Sequence, residues 1–359
     1  MEQNKVLTII IPTYDMEKYL CKCLDSLIVS DENMERLEVL VINDGSKDSS
    51  SAIGHEYESK YPQTFRVIDK ENGNYGSCIN RGLKEATVKY VKVLDADDYF
   101  VNEAFDNFVT YLTRTDVDLV INEYCIVDEN DEIKEMYSFD LPQNRVFSLK
   151  DIPLPMIEWI WHHGITYQAQ LLRSINYHQT EGISYTDDEW IFMPMVAVKT
   201  VSYYSCDMYH YLLGREGQTF DPRIMKSSFD KRVIVGLSMV KYYGKVKNNC
   251  SEASRYYMFE KLKKRIYVIY NFYLTKQYSK KGNESLKSLD LCILEYVPEL
   301  AKQLSSKKNR FGFHFIDVWR KAGYENTLYL RYLQWKFKRK VRRGMDLRKM
   351  QMPTCLRRV

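Results

Sequence analysis

The chain has 359 residues, 45% of them apolar and 28% charged, which excludes a disordered protein and allows about two domains. Its net charge of +4 is uneven: residues 331–359 carry eleven Lys or Arg against one acid. Residues 1–330 hold 41 basic and 47 acidic residues. No leader-like segment and no apolar run of about 18 residues occurs, so we expect a cytoplasmic protein. Eight cysteines form no CxxC pair, which favours free thiols.

The first hundred residues alternate between apolar, β-rich runs and helical patterns. Helices are predicted over 19–28, 46–60, 76–86 and 103–112. This alternation predicts an α/β fold with a doubly wound, mostly parallel sheet and right-handed crossovers. The predicted strands are 6–11, 38–43, 65–69, 90–94 and 118–121.

The pattern changes after residue 121. An acidic, turn-like stretch covers 128–135, and a short helix is predicted over 156–161. Alternating aromatic and polar residues predict a strand over 201–213. Helical patterns dominate beyond residue 225, with an interhelix loop over 276–284. The predicted domains are 1–222, the α/β domain, and 223–359, a helical region ending in a basic amphipathic tail.

Three carboxylates follow the predicted strand 90–94 within four residues: Asp95, Asp97 and Asp98. Carboxylates packed this closely repel, and a hard divalent cation such as Mn²⁺ or Mg²⁺ is the usual neutralising partner. The carboxyl ends of parallel strands border the crevice where ligands bind. The cluster therefore predicts a metal site that also binds phosphate oxygens. An acidic turn after an edge strand is the alternative.

Polar residues also follow the other predicted strands, and these should meet at the same sheet edge. Asp44 offers an acceptor for a base N–H, although it could instead form an Asx-turn or cap a helix. The glycine-rich segment 70–77 allows close approach of backbone to a ligand. The candidate ligand-binding residues at this edge are Pro12, Thr13, Tyr14, Asp44, Asn72, Gly73, Ser77, Asn80, Asp95 and Ala96.

In their order and spacing these segments resemble glycosyltransferase family 2, the inverting nucleotide-sugar enzymes of the GT-A fold. The resemblance covers residues 6–100, with weaker matches to about residue 220. Asn74 and Val88 stand where many relatives have glycine. The matching segments are Ile-Ile-Ile-Pro-Thr-Tyr at 9–14, Val-Ile-Asn-Asp-Gly-Ser at 41–46, Lys-Glu-Asn-Gly with Tyr-Gly-Ser at 70–77, and Leu-Asp-Ala-Asp-Asp-Tyr at 94–99.

The resemblance implies roles for these residues in binding a UDP-sugar. Thr13, Tyr14 and Asp44 would hold the uracil, and Asp95 would lie near the ribose. Asp97, helped by Asp98, would bind the Mn²⁺ or Mg²⁺ that bridges the diphosphate.

A later acidic segment, 183–190, resembles the family motif that carries the general base. The resemblance implies that Asp187 is this base, with Thr186 in place of the usual Glu and Trp190 as the following aromatic residue. The base would remove a proton from the acceptor hydroxyl as it attacks the anomeric carbon. Asp188 is the second candidate. Alternatively, these acids simply begin a helix, where they are favoured.

Polar residues after the strand 201–213 form a further part of the expected site. Arg215 and Gln218 are expected to close over the diphosphate, because a guanidinium pairs well with phosphate. His210 could contact metal or phosphate, or be structural. His162 and His163 could line an acceptor pocket, or only pack among aromatic residues.

The sequence thus predicts a hexosyltransferase that moves sugar from a UDP-sugar to a glycan or lipid-linked acceptor, in bacterial surface polysaccharide synthesis. One alternative is a sugar-1-phosphate nucleotidyltransferase, although those enzymes have a basic glycine-rich loop where this chain has Pro12-Thr13-Tyr14. The other is an inactive GT-A scaffold, which loss of Asp97 or of the base would favour.

The basic tail combines Leu330, Leu333, Phe337 and Val341 on one helical face with Lys and Arg around it. This pattern predicts binding of residues 330–345 to an anionic membrane surface, at the inner face of the cell membrane. Packing of the helix on its own domain is the alternative. Nucleic acid is not an expected partner, because no recognition module accompanies the charge.

Overall fold

The computed structural model describes residues 5–215, 218, 228–275, 279–308, 312–342 and 356–357. The chain divides into two compact units, one formed by 1–225 with 354–359 and the other by 226–353. The predicted boundary after residue 222 lies outside the described residues. The seven cysteines among the described residues are all free, as predicted.

The first unit is built on four parallel strands in the order β3-β2-β1-β4. β1 and β2 are almost entirely buried, because their apolar runs fill both faces of the sheet. The predicted α/β alternation is confirmed, with one additional short helix, α2. The elements are β1 Leu7–Thr13, α1 Leu20–Asp25, α2 Asp31–Arg36, β2 Leu37–Asn43, α3 Ser50–Lys60, β3 Phe65–Asp69, α4 Asn74–Glu85 and β4 Tyr90–Val93.

The rest of the sheet is mixed. β8 lies antiparallel between β4 and β6, while β9 runs parallel to β6 and antiparallel to β5. β7 and the two-residue β10 extend the far edge. The elements are β5 Tyr99–Phe100, α5 Asn102–Thr113, β6 Leu119–Val127, β7 Ile133–Phe139, β8 Ile165–Gln168, β9 Val201–Leu212 and β10 Leu356–Arg357.

Several strands in this part differ from the sequence prediction: β6 runs to Val127 instead of ending at residue 121, and the two-residue strands β5 and β10 were not predicted. Residues 133–135, predicted as turn, belong to β7, because the turn is confined to the residues around Asp128. The Asp128 carboxylate accepts from the backbone N–H of Asn130 at 2.9 Å and of Glu132 at 3.1 Å, which closes a β6–β7 hairpin. β8 was not predicted, since its four residues show no extended apolar run.

Short helices connect the later strands: α6 Leu154–Ile157, α7 Ala169–Ser174 and α8 Asp187–Trp190. α6 ends earlier than the predicted helix 156–161. The segment before α8 lies directly on α4, and a Cβ at Gly76 would be 2.0 Å from the Thr180 carbonyl oxygen. Glycine at this position therefore allows the close approach that positions α8.

The second unit is helical, as predicted, and its core holds a buried ion pair between Asp290 and Arg320. Residues 280–284 are helix rather than the predicted loop, because the Ser279 hydroxyl accepts from the Gly282 N–H at 3.0 Å and caps the helix. The described helices are α9 Phe229–Val246, α10 Glu252–Thr275, α11 Lys280–Tyr296, α12 Pro298–Ser306, α13 Phe315–Lys321 and α14 Leu328–Arg342.

The last helix, α14, corrects the prediction for the basic tail. Leu330, Leu333 and Phe337 are buried, and the Phe337 ring packs edge-on against Phe315 with centroids 6.0 Å apart. This apolar face therefore belongs to the core of the second unit and cannot contact a membrane. Residues 343–345 of the predicted segment lie outside the described residues. Within the described ranges, no helix is both long and apolar enough to span a bilayer.

Candidate active site

Asp95, Asp97 and Asp98 follow β4 and present carboxylate oxygens that lie within 4.8 Å of one another. Asp97 pairs with the guanidinium of Arg215. Asp95 accepts a hydrogen bond from the Tyr75 hydroxyl at 3.0 Å. The structure thus gathers the three predicted acids at one point, and it brings Arg215 to them.

Asp98 is the most enclosed of the three, at 1% exposed. One of its oxygens accepts from the Tyr209 hydroxyl at 2.6 Å and the other from the Leu212 backbone N–H at 2.8 Å. These bonds tie the cluster to β9. Ala96, between the acids, is also buried.

Among the described residues, the three carboxylates of the cluster are paired with one guanidinium, that of Arg215, and with the imidazole of His162. Burial raises the pKa of Asp98 well above its ordinary value, and the charges of Asp97 and Asp95 add to this. Burial also raises the pKa of Asp97, despite the opposing effect of Arg215. Burial acts the same way on Asp95, but His162 more than offsets it and the pKa of Asp95 is lowered. A divalent cation would relieve this repulsion, and three carboxylates are a suitable donor set for Mn²⁺ or Mg²⁺.

Asp44, at the end of β2, lies in a second polar cluster. One of its oxygens accepts from the Lys70 ammonium at 2.5 Å and from the Gly73 backbone N–H at 2.9 Å. The N-cap of α3 is instead Ser49, and the first N–H of the helix, that of Ser50, donates to Asp48 at 2.9 Å. Helix capping by Asp44, one of the predicted alternatives, is therefore excluded.

The end of β1 adjoins Asp44. The Asp44 N–H donates to the Thr13 carbonyl oxygen at 2.8 Å, and the Thr13 side chain is buried. Pro12 is partly buried, whereas the Tyr14 ring is exposed to solvent. Of these three predicted contacts, Tyr14 is the one whose side chain is most accessible to a base.

The glycine-rich turn after β3 is held by the same lysine. Lys70 donates to the Ser77 hydroxyl at 2.9 Å, and the Asn72 amide donates to the Asp44 carbonyl oxygen at 3.0 Å. Asn74 has φ of 65°, a left-handed conformation that glycine adopts freely and asparagine tolerates. Asn74 therefore adopts the turn conformation that a glycine at this position would adopt.

Two predicted ligand contacts have a different role in this structure. The Asn80 amide donates to the Gln179 carbonyl oxygen and accepts from its N–H, both at 2.8 Å, so Asn80 holds the segment that leads to α8. The Gln218 amide accepts from the Gly214 N–H at 2.9 Å and donates to the Leu212 carbonyl oxygen at 2.7 Å. Both amides are hydrogen-bonded within the protein, and their predicted contacts with a ligand stay predictions.

Asp187 begins α8, and its charge acts on two side chains that contact the carboxylate cluster, Tyr75 and His162. Burial raises the pKa of the Tyr75 hydroxyl, and the charges of Asp95 and Asp187 raise it further. Asp187 also acts on His162, which contacts Asp95. Asp187 and Asp188 do occupy the first turn of a helix, as the alternative prediction held. Glu189 differs, since it is buried and accepts from the Thr180 N–H at 2.7 Å and from its hydroxyl at 2.8 Å.

The histidines divide between two places. His162 Nε2 lies 3.1 Å from Asp95 Oδ2, and His163 Nε2 lies 4.0 Å from Asp98 Oδ2, so both adjoin the carboxylate cluster. Burial lowers the pKa of His162, but Asp95 more than offsets this and the net pKa is raised. His210 instead contacts Asp207 at 3.1 Å and the Tyr99 hydroxyl at 3.2 Å, which agrees with the structural alternative.

Sequence reasoning missed three residues that shape the site: Tyr75, Tyr209 and Lys92. The Lys92 ammonium is fully buried and donates to Asn122 Oδ1 at 2.9 Å and to the carbonyl oxygens of His163 at 2.7 Å and Ile165 at 3.3 Å. Burial lowers the pKa of Lys92 well below its ordinary value. The sequence signal for Lys92 was a single lysine within an otherwise apolar predicted strand, 90–94.

The sheet and the carboxylate cluster at the end of β4 are those expected of a GT-A glycosyltransferase domain. Residues 8–178 match the family described as glycosyl transferase family 2, and this part of the chain belongs to that family. The predicted fold and family are thereby confirmed.

Similar proteins agree with this assignment. An uncharacterized glycosyltransferase of Mycoplasma genitalium, MG025, is 37% identical over 133 residues, which are 36% of this chain and 43% of that protein. The minor teichoic acid biosynthesis protein GgaB of Bacillus subtilis is 33% identical over 119 residues, 33% of this chain and 13% of GgaB. The chain thus spans less than half the length of these relatives. The crystal structure of S. aureus TarS 1–349 in complex with UDP-GlcNAc is similar in fold, with a TM-score of 0.63 at 20% identity and 82% of each chain covered.

Proposed function

We propose that this chain is an inverting, metal-dependent glycosyltransferase that moves a sugar from a UDP-sugar to a hydroxyl of a glycan or lipid-linked acceptor. The main support is that three carboxylates and Arg215 converge after β4, and that the charge of Asp187 reaches Tyr75 and His162, which both contact this cluster. The names of two similar proteins point to a UDP-sugar donor and to bacterial surface polysaccharide synthesis.

The donor side of the cleft uses the residues at the strand ends. Tyr14 stacks on the uracil, and Asp44 accepts from its ring N–H. Asp97 and Asp98 hold Mn²⁺ or Mg²⁺, which when bound neutralises charge on the departing diphosphate. Arg215 pairs with Asp97 in this structure, and its guanidinium is within reach of a diphosphate bound there.

The acceptor side requires a single base. Asp187 takes the proton from the acceptor hydroxyl while that oxygen forms its bond to the anomeric carbon. The bond from the anomeric carbon to UDP breaks on the opposite face, so configuration inverts in one displacement. Asp188, next in the same helix, is the second candidate for this role.

UDP release from a panel of UDP-sugars tests the proposal, measured with Mn²⁺, with Mg²⁺ and with a chelator. The Asp187→Asn and Asp97→Asn variants should each lose about 10²-fold or more of the rate. Glu181→Gln, at an exposed acid of the segment before α8, is the matched control and should retain it. Wild-type rates in both Asp variants would reject the mechanism, and pyrophosphate formation from a sugar phosphate and UTP would favour a nucleotidyltransferase.

We also propose that the enzyme acts at the inner face of the cell membrane, through the solvent face of α14. Tyr329, Tyr332 and Trp335 are exposed on this face. Lys336 lies 4.9 Å from the Tyr332 ring centroid and Arg339 lies 5.3 Å from that of Trp335. Aromatic side chains with adjacent cations suit an anionic headgroup region.

Co-sedimentation with phosphatidylglycerol or phosphatidylcholine vesicles tests this surface. The wild-type chain should bind only the anionic vesicles, and more weakly as salt rises. Tyr332→Ser with Trp335→Ser should reduce binding, whereas Leu291→Ser, at an exposed apolar residue of α11, should not. Equal binding by all three proteins would reject the proposal.

A further inference from the structure

Two imidazoles lie beside the carboxylates that the proposed mechanism assigns to the metal. The possible ligand atoms of Asp95, His162 and His163 all lie within 4.8 Å of one another. Asp95 is shared with the carboxylate cluster of Asp97 and Asp98. Nitrogen and oxygen donors therefore converge at one point of the site.

The spacing of the first pair suits a common ion. His162 Nε2 and Asp95 Oδ2 are 3.1 Å apart. Two neighbouring ligands at about 2.1 Å from an octahedral ion lie about 3.0 Å from each other. A cation could therefore replace the hydrogen bond between these atoms with little movement of either side chain.

His163 supplies an independent observation. It is 3% exposed, and neither of its ring nitrogens has a hydrogen-bond partner among the described residues. Burial of an unpaired polar ring is unfavourable, so such a group in a binding site calls for a ligand. Its Nε2 lies on the side of the carboxylate cluster, 4.0 Å from Asp98 Oδ2.

The surrounding structure holds both imidazoles in place. The Lys92 ammonium donates to the His163 carbonyl oxygen at 2.7 Å. The His163 ring stacks on Tyr211 with centroids 4.5 Å apart and contacts the His162 ring at 3.8 Å. Rigid support of this kind is what a metal site needs from the residues around its ligands.

We propose that Asp95, His162 and His163 form a mixed nitrogen and oxygen site, and that it makes the enzyme select a first-row transition ion such as Mn²⁺ over Mg²⁺. This inference rests on the proposed function, because Asp95 joins this group to Asp97 and Asp98, and the histidines would add ligands to the cation that those two acids hold. Imidazole nitrogen is a good ligand for transition ions, whereas Mg²⁺ strongly prefers oxygen. The carboxylates alone would not discriminate in this way.

Electron paramagnetic resonance of Mn²⁺ bound to the full chain tests the ligand set directly. In the wild type, electron spin echo modulation should show ¹⁴N coupling to the ion. His162→Gln should lose that coupling and bind Mn²⁺ at least ten-fold more weakly, with a smaller change for Mg²⁺. His163→Gln should weaken Mn²⁺ binding as well. His55→Gln, at a surface histidine paired with Asp69 and Glu58, is the control and should match the wild type.

Bound Mn²⁺ without ¹⁴N coupling in the wild type would overturn the inference, and so would an absence of Mn²⁺ binding. The wild-type spectrum decides this even if a histidine variant fails to fold. UDP release without ¹⁴N coupling would reject histidine ligation and keep the proposed function. ¹⁴N-coupled Mn²⁺ without UDP release from any donor would keep the site and reject the function.

Discussion

Two of the places where the chain buries aspartates have contrasting surroundings. In the second unit, Asp290 is fully buried and accepts from Arg320 Nε at 3.0 and 3.1 Å, from Arg320 Nη2 at 2.5 Å and from the Tyr270 hydroxyl. One carboxylate there meets one guanidinium, and the charges balance. In the first unit, three carboxylates share Arg215 and His162 among the described residues.

The pKa shifts record the same contrast. Burial lowers the pKa of Arg320, but Asp290 and Tyr270 more than offset this and the net pKa is raised, as in a stable ion pair. The pKa of Asp98 is also raised, but for a carboxylate a raised pKa means that the charged form is disfavoured. Burial and the two neighbouring acids are the causes. A buried carboxylate with its own guanidinium is a structural pair, whereas we expect a cation to bind where buried carboxylates outnumber their cationic partners.

The largest expected effect comes from breaking the balanced pair. Asp290→Asn should lower the free energy of unfolding by about 3–5 kcal/mol, because the Arg320 charge stays buried without its partner. Urea unfolding measures this. Asp317→Asn, which removes the surface partner of Lys321, is the control and should cost less than about 1 kcal/mol. Equal losses in the two variants would contradict the structural role of Asp290.

A smaller effect is expected where α4 meets the segment before α8. Gly76→Ala places a methyl group against the Thr180 carbonyl oxygen and should cost about 1–3 kcal/mol of stability. Because that segment leads to Asp187, kcat should fall as well. Gly82→Ala crowds Ile10 in the core and is the matched control, with a loss of stability but little loss of kcat in the folded protein. Unfolding curves and kcat measured below the transition separate the two cases.

The Tyr75 hydroxyl should contribute less again. Tyr75→Phe removes the hydrogen bond to Asp95, and kcat/KM for the donor should fall roughly ten-fold, since a bond to a charged group is worth about 1.5–3 kcal/mol. Steady-state kinetics at several Mn²⁺ concentrations provide the measurement. Tyr177→Phe, which removes a hydroxyl bound to Gln179 instead, should be nearly neutral. A Tyr75→Phe enzyme as active as the wild type would remove Tyr75 from the site.

The smallest expected effect is on stability when an acid of the carboxylate cluster is removed. Asp97→Asn breaks the pair with Arg215, but it also removes one of three mutually repelling acids, so without metal it should cost less than about 1 kcal/mol of stability. Thermal unfolding in a chelator measures this difference. A loss as large as that of Asp290→Asn would mean that Asp97, like Asp290, belongs to a balanced structural pair.

Local signals explain how much of this was predictable. The four parallel strands follow from continuous apolar runs, and the carboxylate cluster follows from three acids placed directly after one of them. Asp187 was predicted only through the family resemblance. Contacts between distant segments could not be predicted. β8 pairs with strands whose sequences give no pairing signal. His162 and Asp95 are 67 positions apart in the sequence, and Asn80 and Gln179 are 99 positions apart. Periodicity could not decide between membrane binding and packing for the apolar face of α14, because it does not say what covers a helix; the structure shows that this face packs on its own unit.

The central claim is that the surplus buried charge after β4 is a cation site that binds a diphosphate. Calorimetric titration of UDP into the wild type and Asp97→Asn, each with Mn²⁺ and with a chelator, tests it most directly. We expect Mn²⁺ to tighten UDP binding at least ten-fold in the wild type and to have no effect in Asp97→Asn. Equal UDP affinity of the wild type with and without Mn²⁺ would contradict the claim.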